Sequence, residues 1–211
     1  MEITIDQIIQ GEVGQMSRPT SVSTSKPLWD CESIVAFKAL LRAYKEAVQE
    51  KGKVFQADPK TLEHIKKVAV WLTTPSYKRG IYLGGGCGNG KSTMMSAFYK
   101  CCRESGRRIL STSASKMVAW HLSDHSVTDL PHQEPIICID DLGTESAEVM
   151  VYGNKMSVMS DFFEEAYKTR CFLFVTSNLG ADEIEQRYGA RVRDRFREMF
   201  YSLKFTNPSF R

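Results

Sequence analysis

Residues 85–92, Gly85-Gly86-Cys87-Gly88-Asn89-Gly90-Lys91-Ser92, match the phosphate-binding pattern G-x-x-x-x-G-K-S/T without a mismatch. Glycines allow a backbone to turn its N–H groups inward around an anion. Lys91 is placed to reach β- and γ-phosphates, and the Ser92 hydroxyl to hold Mg²⁺. The flanking residues fit that chemistry. Ile81, Tyr82 and Leu83 end a buried strand, and Thr93 to Lys100 open a helix whose positive end points at the same place. Five glycines between Gly84 and Gly90, followed by Lys-Ser at a strand-to-helix junction, argue against a chance turn. The expected ligands are ATP and Mg²⁺.

A second signal follows about fifty residues later. Ile136-Ile137-Cys138-Ile139 ends in two acids, Asp140 and Asp141. A buried strand delivers such acids to its carboxyl end, where doubly wound sheets bind ligands. Asp140 suits the magnesium shell, and Asp141 suits a general base or an orienter of attacking water. A third signal, Thr176-Ser177-Asn178, ends another apolar run, Cys171 to Val175. The Asn178 amide can donate to a γ-phosphate and accept from a water.

The densest basic run is Arg191-Val192-Arg193-Asp194-Arg195-Phe196-Arg197. It suits an arginine finger, DNA phosphate contacts, or a solvated face paired with Asp194 and Glu198. At helical spacing Arg191 and Arg195 share one face, and Arg193 and Arg197 another.

These residues need a scaffold, and the pattern supplies one. Ser33 to Glu50 reads as an amphipathic helix with Phe37, Leu40, Leu41, Tyr44 and Val48 on one face. Asp58-Pro59 starts a second, running to Leu72, with Leu62, Ile65, Val68, Ala69 and Leu72 inward. Strands are expected at 78–83, 108–112, 135–139, 171–175 and 203–205. Helices are expected after the glycine loop, over 113–122 and 154–168, and as short pieces over 181–188 and 192–200. Strand alternating with helix argues a parallel sheet covered on both faces. Residues 1–27 are polar and rich in Ser, Thr and Pro toward Lys26, which predicts a flexible or partner-ordered arm.

Composition sets outer limits. The 211 residues hold one α/β domain and a small appendage. With 42% hydrophobic and 25% charged residues the chain can bury a core, so disorder is not expected. A net charge of +3 permits nucleic acid without requiring it. None of the six cysteines is spaced C-x-x-C, which argues against a zinc ribbon or redox motif. Cys138 and Cys171 read as small core residues. His125 and His132 read as solvated loop residues rather than metal ligands. No basic stretch followed by an apolar run opens the chain, and no apolar run is long enough to cross a bilayer. A cytoplasmic protein without membrane contact is expected.

The ordered set G-G-G-C-G-N-G-K-S, I-D-D-L-G-T-E, Y-G-N-K, T-S-N-L and R-Y-G-A-R-V-R-D-R-F-R resembles the AAA+ helicase loaders of the DnaC/DnaI type. It is also similar to the related IstB-type transposition ATPases. The resemblance covers about residues 58–211 and implies a P-loop AAA+ three-layer fold with a parallel five-stranded sheet. It implies nucleotide contacts from Gly85, Gly86, Cys87, Gly88, Asn89, Gly90, Lys91, Ser92 and Thr93, and Mg²⁺ at Ser92 and Asp140. It further implies Asp141 in the catalytic acid position, Asn178 as γ-phosphate sensor, and Arg195 as a finger acting in trans. Two departures stand out. Many AAA+ ATPases carry Glu where this chain has Asp141, so slow turnover is expected. Only sixteen residues follow Arg195, too few for a C-terminal helical lid, so the usual lid arginine is expected to be missing unless Arg211 stands in.

The expected organisation is a docking segment at 1–57 and an ATPase domain at 58–211. The resemblance implies a loader of a replicative helicase hexamer onto single-stranded DNA, with ATP binding and hydrolysis timing assembly and release. It implies an ATP-dependent homo-oligomer and weak, sequence-independent DNA contact through the helix at 113–122, where Lys116 and His121 are the basic residues. Two other readings stay open: a transposase-partner ATPase that selects target DNA, and a nucleotide-gated adaptor that does not hydrolyse.

Overall fold

The computed structural model describes residues 26–151 and 154–207. Most of the polar N-terminal arm and Arg211 lie outside the described residues. The chain divides into two compact units, the division falling between Tyr77 and Lys78.

In the first unit, helix α1 (Ser33–Gln49) packs on α2 (Pro59–Thr73). α1 buries Phe37, Leu40, Leu41 and Tyr44 as the periodicity predicts, with Ala36, Ala43 and Ala47 beside them. Val48 is only half-buried. α2 starts where Asp58-Pro59 predicts: the Asp58 carboxylate accepts from the Thr61 N–H at 2.8 Å and the Thr61 hydroxyl at 2.7 Å. It buries Ile65, Val68, Ala69, Trp71 and Leu72, whereas Leu62 stays half-buried.

The second unit alternates strands and helices. β1 (Gly80–Gly84) leads through the glycine loop into α3 (Lys91–Glu104) and β2 (Leu110–Ser113). Then come α4 (Ala114–His121), a 3-10 turn (Val127–Asp129), α5 (Leu130–Gln133) and β3 (Ile136–Leu142). β4 (Val149–Val151) and β5 (Asn154–Met156) form a separate antiparallel hairpin. α6 (Val158–Thr169), β6 (Phe172–Ser177), α7 (Ala181–Tyr188), α8 (Ala190–Met199) and β7 (Phe200–Lys204) complete it. No helix follows β7 among the described residues.

The sheet is five-stranded, in the order β2-β3-β6-β1-β7, and all its pairings are parallel. From β1 the chain crosses one way to β2, then returns through β3 and β6 to β7. Right-handed crossovers therefore put α3 on one face and the later helices on the other. The side chains agree. On β6, Phe174 and Phe172 stack under Phe98 of α3, with ring centroids 4.7 and 5.9 Å away. Leu173 and Val175 join Phe162, Phe163, Val192 and Phe196 of α6 and α8 in a cluster on the other face. Being buried on both faces is why β3 and β6 read as unbroken apolar runs.

Two elements depart from the sequence expectation. The helix expected from Asn154 starts at Val158, because residues 154–156 are taken up as β5, paired with β4. The last strand starts at Phe200, not Leu203, because Phe200 pairs with Gly80 and its ring lies over that glycine.

Candidate nucleotide site

The glycine loop leaves the carboxyl end of β1 and enters α3 at Gly90, whose φ of 96° only glycine adopts at little cost. Gly85 is held by close approach. A Cβ there would stand 2.4 Å from the Phe205 carbonyl oxygen and 2.7 Å from Asn89 Nδ2. Those two groups form a strut: the buried Asn89 amide donates to the Phe205 carbonyl at 2.9 Å, and the Phe205 N–H donates to the Gly84 carbonyl at 2.7 Å. The chain after β7 thus fixes the loop's path.

Lys91 is buried at 5% exposure. Its Nζ donates to the carbonyls of Gly85 and Gly86, both at 2.7 Å, and to Asn178 Oδ1 at 2.9 Å. Asn89 Oδ1 lies farther off, at 3.3 Å. A buried ammonium needs such oxygens to offset lost hydration. Ser92 is half-buried and Thr93 buried on the first turn of α3, while Gly86 and Cys87 are exposed. Asn178 also donates from Nδ2 to Cys87 Sγ at 3.3 Å, so its amide spans the loop.

Asp140 and Asp141 sit where the β3–β6 register breaks, between Ile139 and Leu142. Asp141 takes a φ of 53°, the left-handed region, and is exposed; Asp140 is half-buried. The fully buried Thr176 holds both. Its hydroxyl donates to Asp140 Oδ1 at 2.5 Å and accepts from the Asp141 N–H at 3.0 Å. Ser177 repeats the pattern one residue on, donating to the Leu142 carbonyl at 2.6 Å and accepting from the Leu179 N–H at 3.0 Å. The end of β6 therefore clamps the acids with Thr176, holds the following Leu142 with Ser177, and meets Lys91 with Asn178. Tyr82 adds a third support: its hydroxyl donates to the Leu179 carbonyl at 2.7 Å, and burial pushes its phenol up to about 12.

Arg195 lies elsewhere, on α8 against α6. Its Nη1 is 2.8 Å from Glu164 Oε2, and its guanidinium lies 4.7 Å from the Tyr167 ring centroid. Arg191 takes the other Glu164 oxygen, at 3.0 Å. A groove of about 690 Å³ lies beside this clamp, lined by Asp161, Glu164, Tyr188 and Arg191 among others, and no residue of the loop reaches it. Sequence reasoning gave Glu164 no part, because it precedes Arg195 by thirty-one residues in an ordinary helix pattern.

It also passed over Glu145, whose side chain is 1% exposed. Its Oε2 accepts from the Gly143 N–H at 2.8 Å, and its Oε1 from Arg187 Nε at 3.3 Å and from the Tyr188 hydroxyl. Burial, reinforced by the Glu145 carboxylate, raises the Tyr188 phenol far above its usual range. A Thr-Glu pair just past the two acids was the one available signal.

The donor set fits a nucleotide: a glycine, Gly85, packed too closely for a Cβ, a buried lysine, and a helix N-terminus. Ser92 and Asp140 offer the hard oxygens Mg²⁺ takes beside phosphate and water. Among the described residues no group of three or more His, Cys, Asp and Glu could hold a metal ion, so a cation here would depend on the phosphates as well.

No protein-family model matches the chain, and no curated protein sequence does either. Solved structures do. The crystal structure of the DnaC helicase loader aligns with a TM-score of 0.60 at 17% identity, over 77% of this chain and 98% of that one. DnaI aligns at 0.56 and 21% identity, over 76% and 89%. AMPPCP-bound DnaA from Aquifex aeolicus aligns at 0.50 and 17%, over 72% of this chain and 49% of that one. The chain shares the α/β fold of DnaC and DnaI.

Proposed function

We propose, from the fold shared with DnaC and DnaI, that this chain is a Mg²⁺-dependent ATPase that loads a replicative helicase hexamer onto single-stranded DNA. The observation that carries the reading is the hydrogen bond between Lys91 and Asn178 beside the acid pair clamped by Thr176. One strand end thus touches both the phosphate-loop lysine and the acids.

The residues divide the work as follows. The N–H groups from Gly85 to Thr93 and the N-terminus of α3 receive the phosphates. Lys91 exchanges the Gly85 and Gly86 carbonyls for β- and γ-phosphate oxygens. Ser92 and Asp140 would hold Mg²⁺, which when bound neutralises charge on the phosphates. Asp141 orients the attacking water, and Asn178 reports the γ-phosphate. Arg195 would complete the site of a neighbouring copy, so the reading calls for an ATP-dependent homo-oligomer.

Residues 1–57 would dock the helicase, and residues 58–211 would form the ATPase. Contact with single-stranded DNA would be weak, salt-sensitive and independent of sequence. No helix among the described residues is long and apolar enough to cross a membrane. The proposed site of action is the cytoplasm.

The test is affinity capture with ATP and Mg²⁺, followed by a helicase-loading assay on a closed single-stranded circle. Capture of a hexameric helicase and ATP-dependent loading support the reading. Capture of a transposase instead would replace it, and binding without turnover would leave a nucleotide-gated adaptor.

A further inference from the structure

Glu145 is a buried carboxylate joining two elements that carry separate parts of the proposed machinery. On one side stands the turn after β3, with Gly143 two residues past Asp141. On the other stands α7, whose last turn carries Arg187 and Tyr188. The two carboxylate oxygens divide between them: Oε2 takes the Gly143 N–H at 2.8 Å, and Oε1 takes Tyr188 and Arg187. Arg187 also donates to the Glu145 carbonyl.

The junction is tight as well as polar. Gly143 has a φ of +100°, and a Cβ there would meet Leu179 Cδ1 at 2.6 Å. Leu179 lies between Asn178 and α7. The Ser177 hydroxyl ties to the Leu142 carbonyl one residue before that glycine. Beyond α7, Gly189 leads directly into α8 and Arg195. A buried charge is a costly way to join two elements unless each of its lone pairs is used, and here both oxygens are.

We infer that Glu145 is a positioning residue that locks the Asp140–Asp141 bulge to α7, so that the acids, Asn178 and the arginine helix keep one arrangement. It touches no phosphate. It acts through Gly143 on the acids and through Arg187 and Tyr188 on the helix. A change at Asn178, when Lys91 turns to a phosphate, then reaches α7 and the acid turn together.

The inference rests on the proposed ATPase reading for its kinetic arm only. Glu145→Gln keeps the shape and removes the charge. Its Kd for ATP by calorimetry should stay within about twofold of the parent while kcat falls about tenfold at unchanged KM, the scale of an ordinary coupling between sites. Amide hydrogen exchange supplies an arm independent of turnover. Residues 141–147 and 181–188 should both exchange faster in Glu145→Gln, while α3 keeps its protection. Faster exchange confined to 141–147, or an unchanged kcat in a hydrolysing parent, overturns the inference. If the parent protein binds ATP without hydrolysing it, the ATPase reading fails and exchange alone decides the role of Glu145. Should Glu145→Gln fail to fold, Tyr188→Phe removes one hydroxyl from the same carboxylate and is read the same way.

Discussion

Glu164 Oε2 holds Arg195 Nη1 at 2.8 Å within one chain, both side chains about four-fifths buried. An arginine that is to reach a neighbour's phosphate must first leave this partner and the Tyr167 ring. Opposite charges at this separation and burial interact strongly enough to bias the arginine toward α6.

Glu164→Ala should therefore release Arg195 and lower the protein concentration at which ATPase activity appears. Activity plotted against concentration checks this. A curve identical to the parent's would mean that the ion pair does not restrain the arginine. Arg191 shares the same carboxylate, so Arg191→Ala alone should change the curve less.

Thr176→Val keeps the volume and removes the hydroxyl that serves both acids. The Asp141 N–H loses its acceptor and the Asp140 carboxylate its donor. At a fully buried position this should cost about 1–3 kcal/mol in chemical denaturation. If Asp140 belongs to the magnesium shell, the same variant should need more Mg²⁺ for half-maximal activity. Stability and magnesium demand equal to the parent's would contradict the clamp.

Lys91→Ala removes the ammonium that Gly85, Gly86 and Asn178 share. Loss of a hydrogen bond to a charged phosphate is worth about 1.5–3 kcal/mol, so ATP affinity should drop about tenfold or more. Calorimetry on the folded variant decides. Unchanged affinity would remove the loop from nucleotide binding.

Burial lifts the Tyr82 phenol to about 12 from its ordinary value of 10.0. A group whose folded value is raised contributes stability that is fully present below its unfolded value and is lost as pH rises through the folded one. Tyr82 should therefore contribute up to pH 10 and lose that contribution between pH 10 and 12, about 2–3 kcal/mol in all. Tyr82→Phe should flatten that part of the stability profile. A profile as steep as the parent's would assign the alkaline loss to other groups.

How much of this was legible in the sequence differs from residue to residue. The glycine loop could be read because its chemistry is local: spacing, a strand before it and a helix after it. The apolar runs ending at Ile139 and Val175 gave the central strands, because a strand buried on both faces leaves no other pattern. Thr176 could not be read, since a threonine before Ser-Asn looks like a loop start. Its partners, Asp140 and Asp141, lie thirty-six and thirty-five residues away, and only parallel pairing brings them together. Glu145 and Glu164 escaped for the same reason. Glu145, in the turn after β3, matters through partners on α7, and Glu164, on α6, through partners on α8; the local pattern around neither one carries word of that. The Asn89 strut to Phe205 joins a side chain to a backbone carbonyl, which no residue type announces.

The central claim, a nucleotide site finished by an arginine from a second copy, is tested most directly by mixing two inactive proteins. Arg195→Ala keeps Asp141 and lacks the arginine, whereas Asp141→Asn keeps the arginine and lacks the acid. Each alone should bind ATP and hydrolyse it poorly, since an arginine supplied in trans is worth about 10³–10⁵ in rate. In mixed assemblies some interfaces pair an intact Asp141 with a neighbour's intact Arg195. The account predicts that ATP turnover returns in the mixture at concentrations where light scattering shows assembly. A mixture that assembles yet stays as inactive as its two components would contradict it.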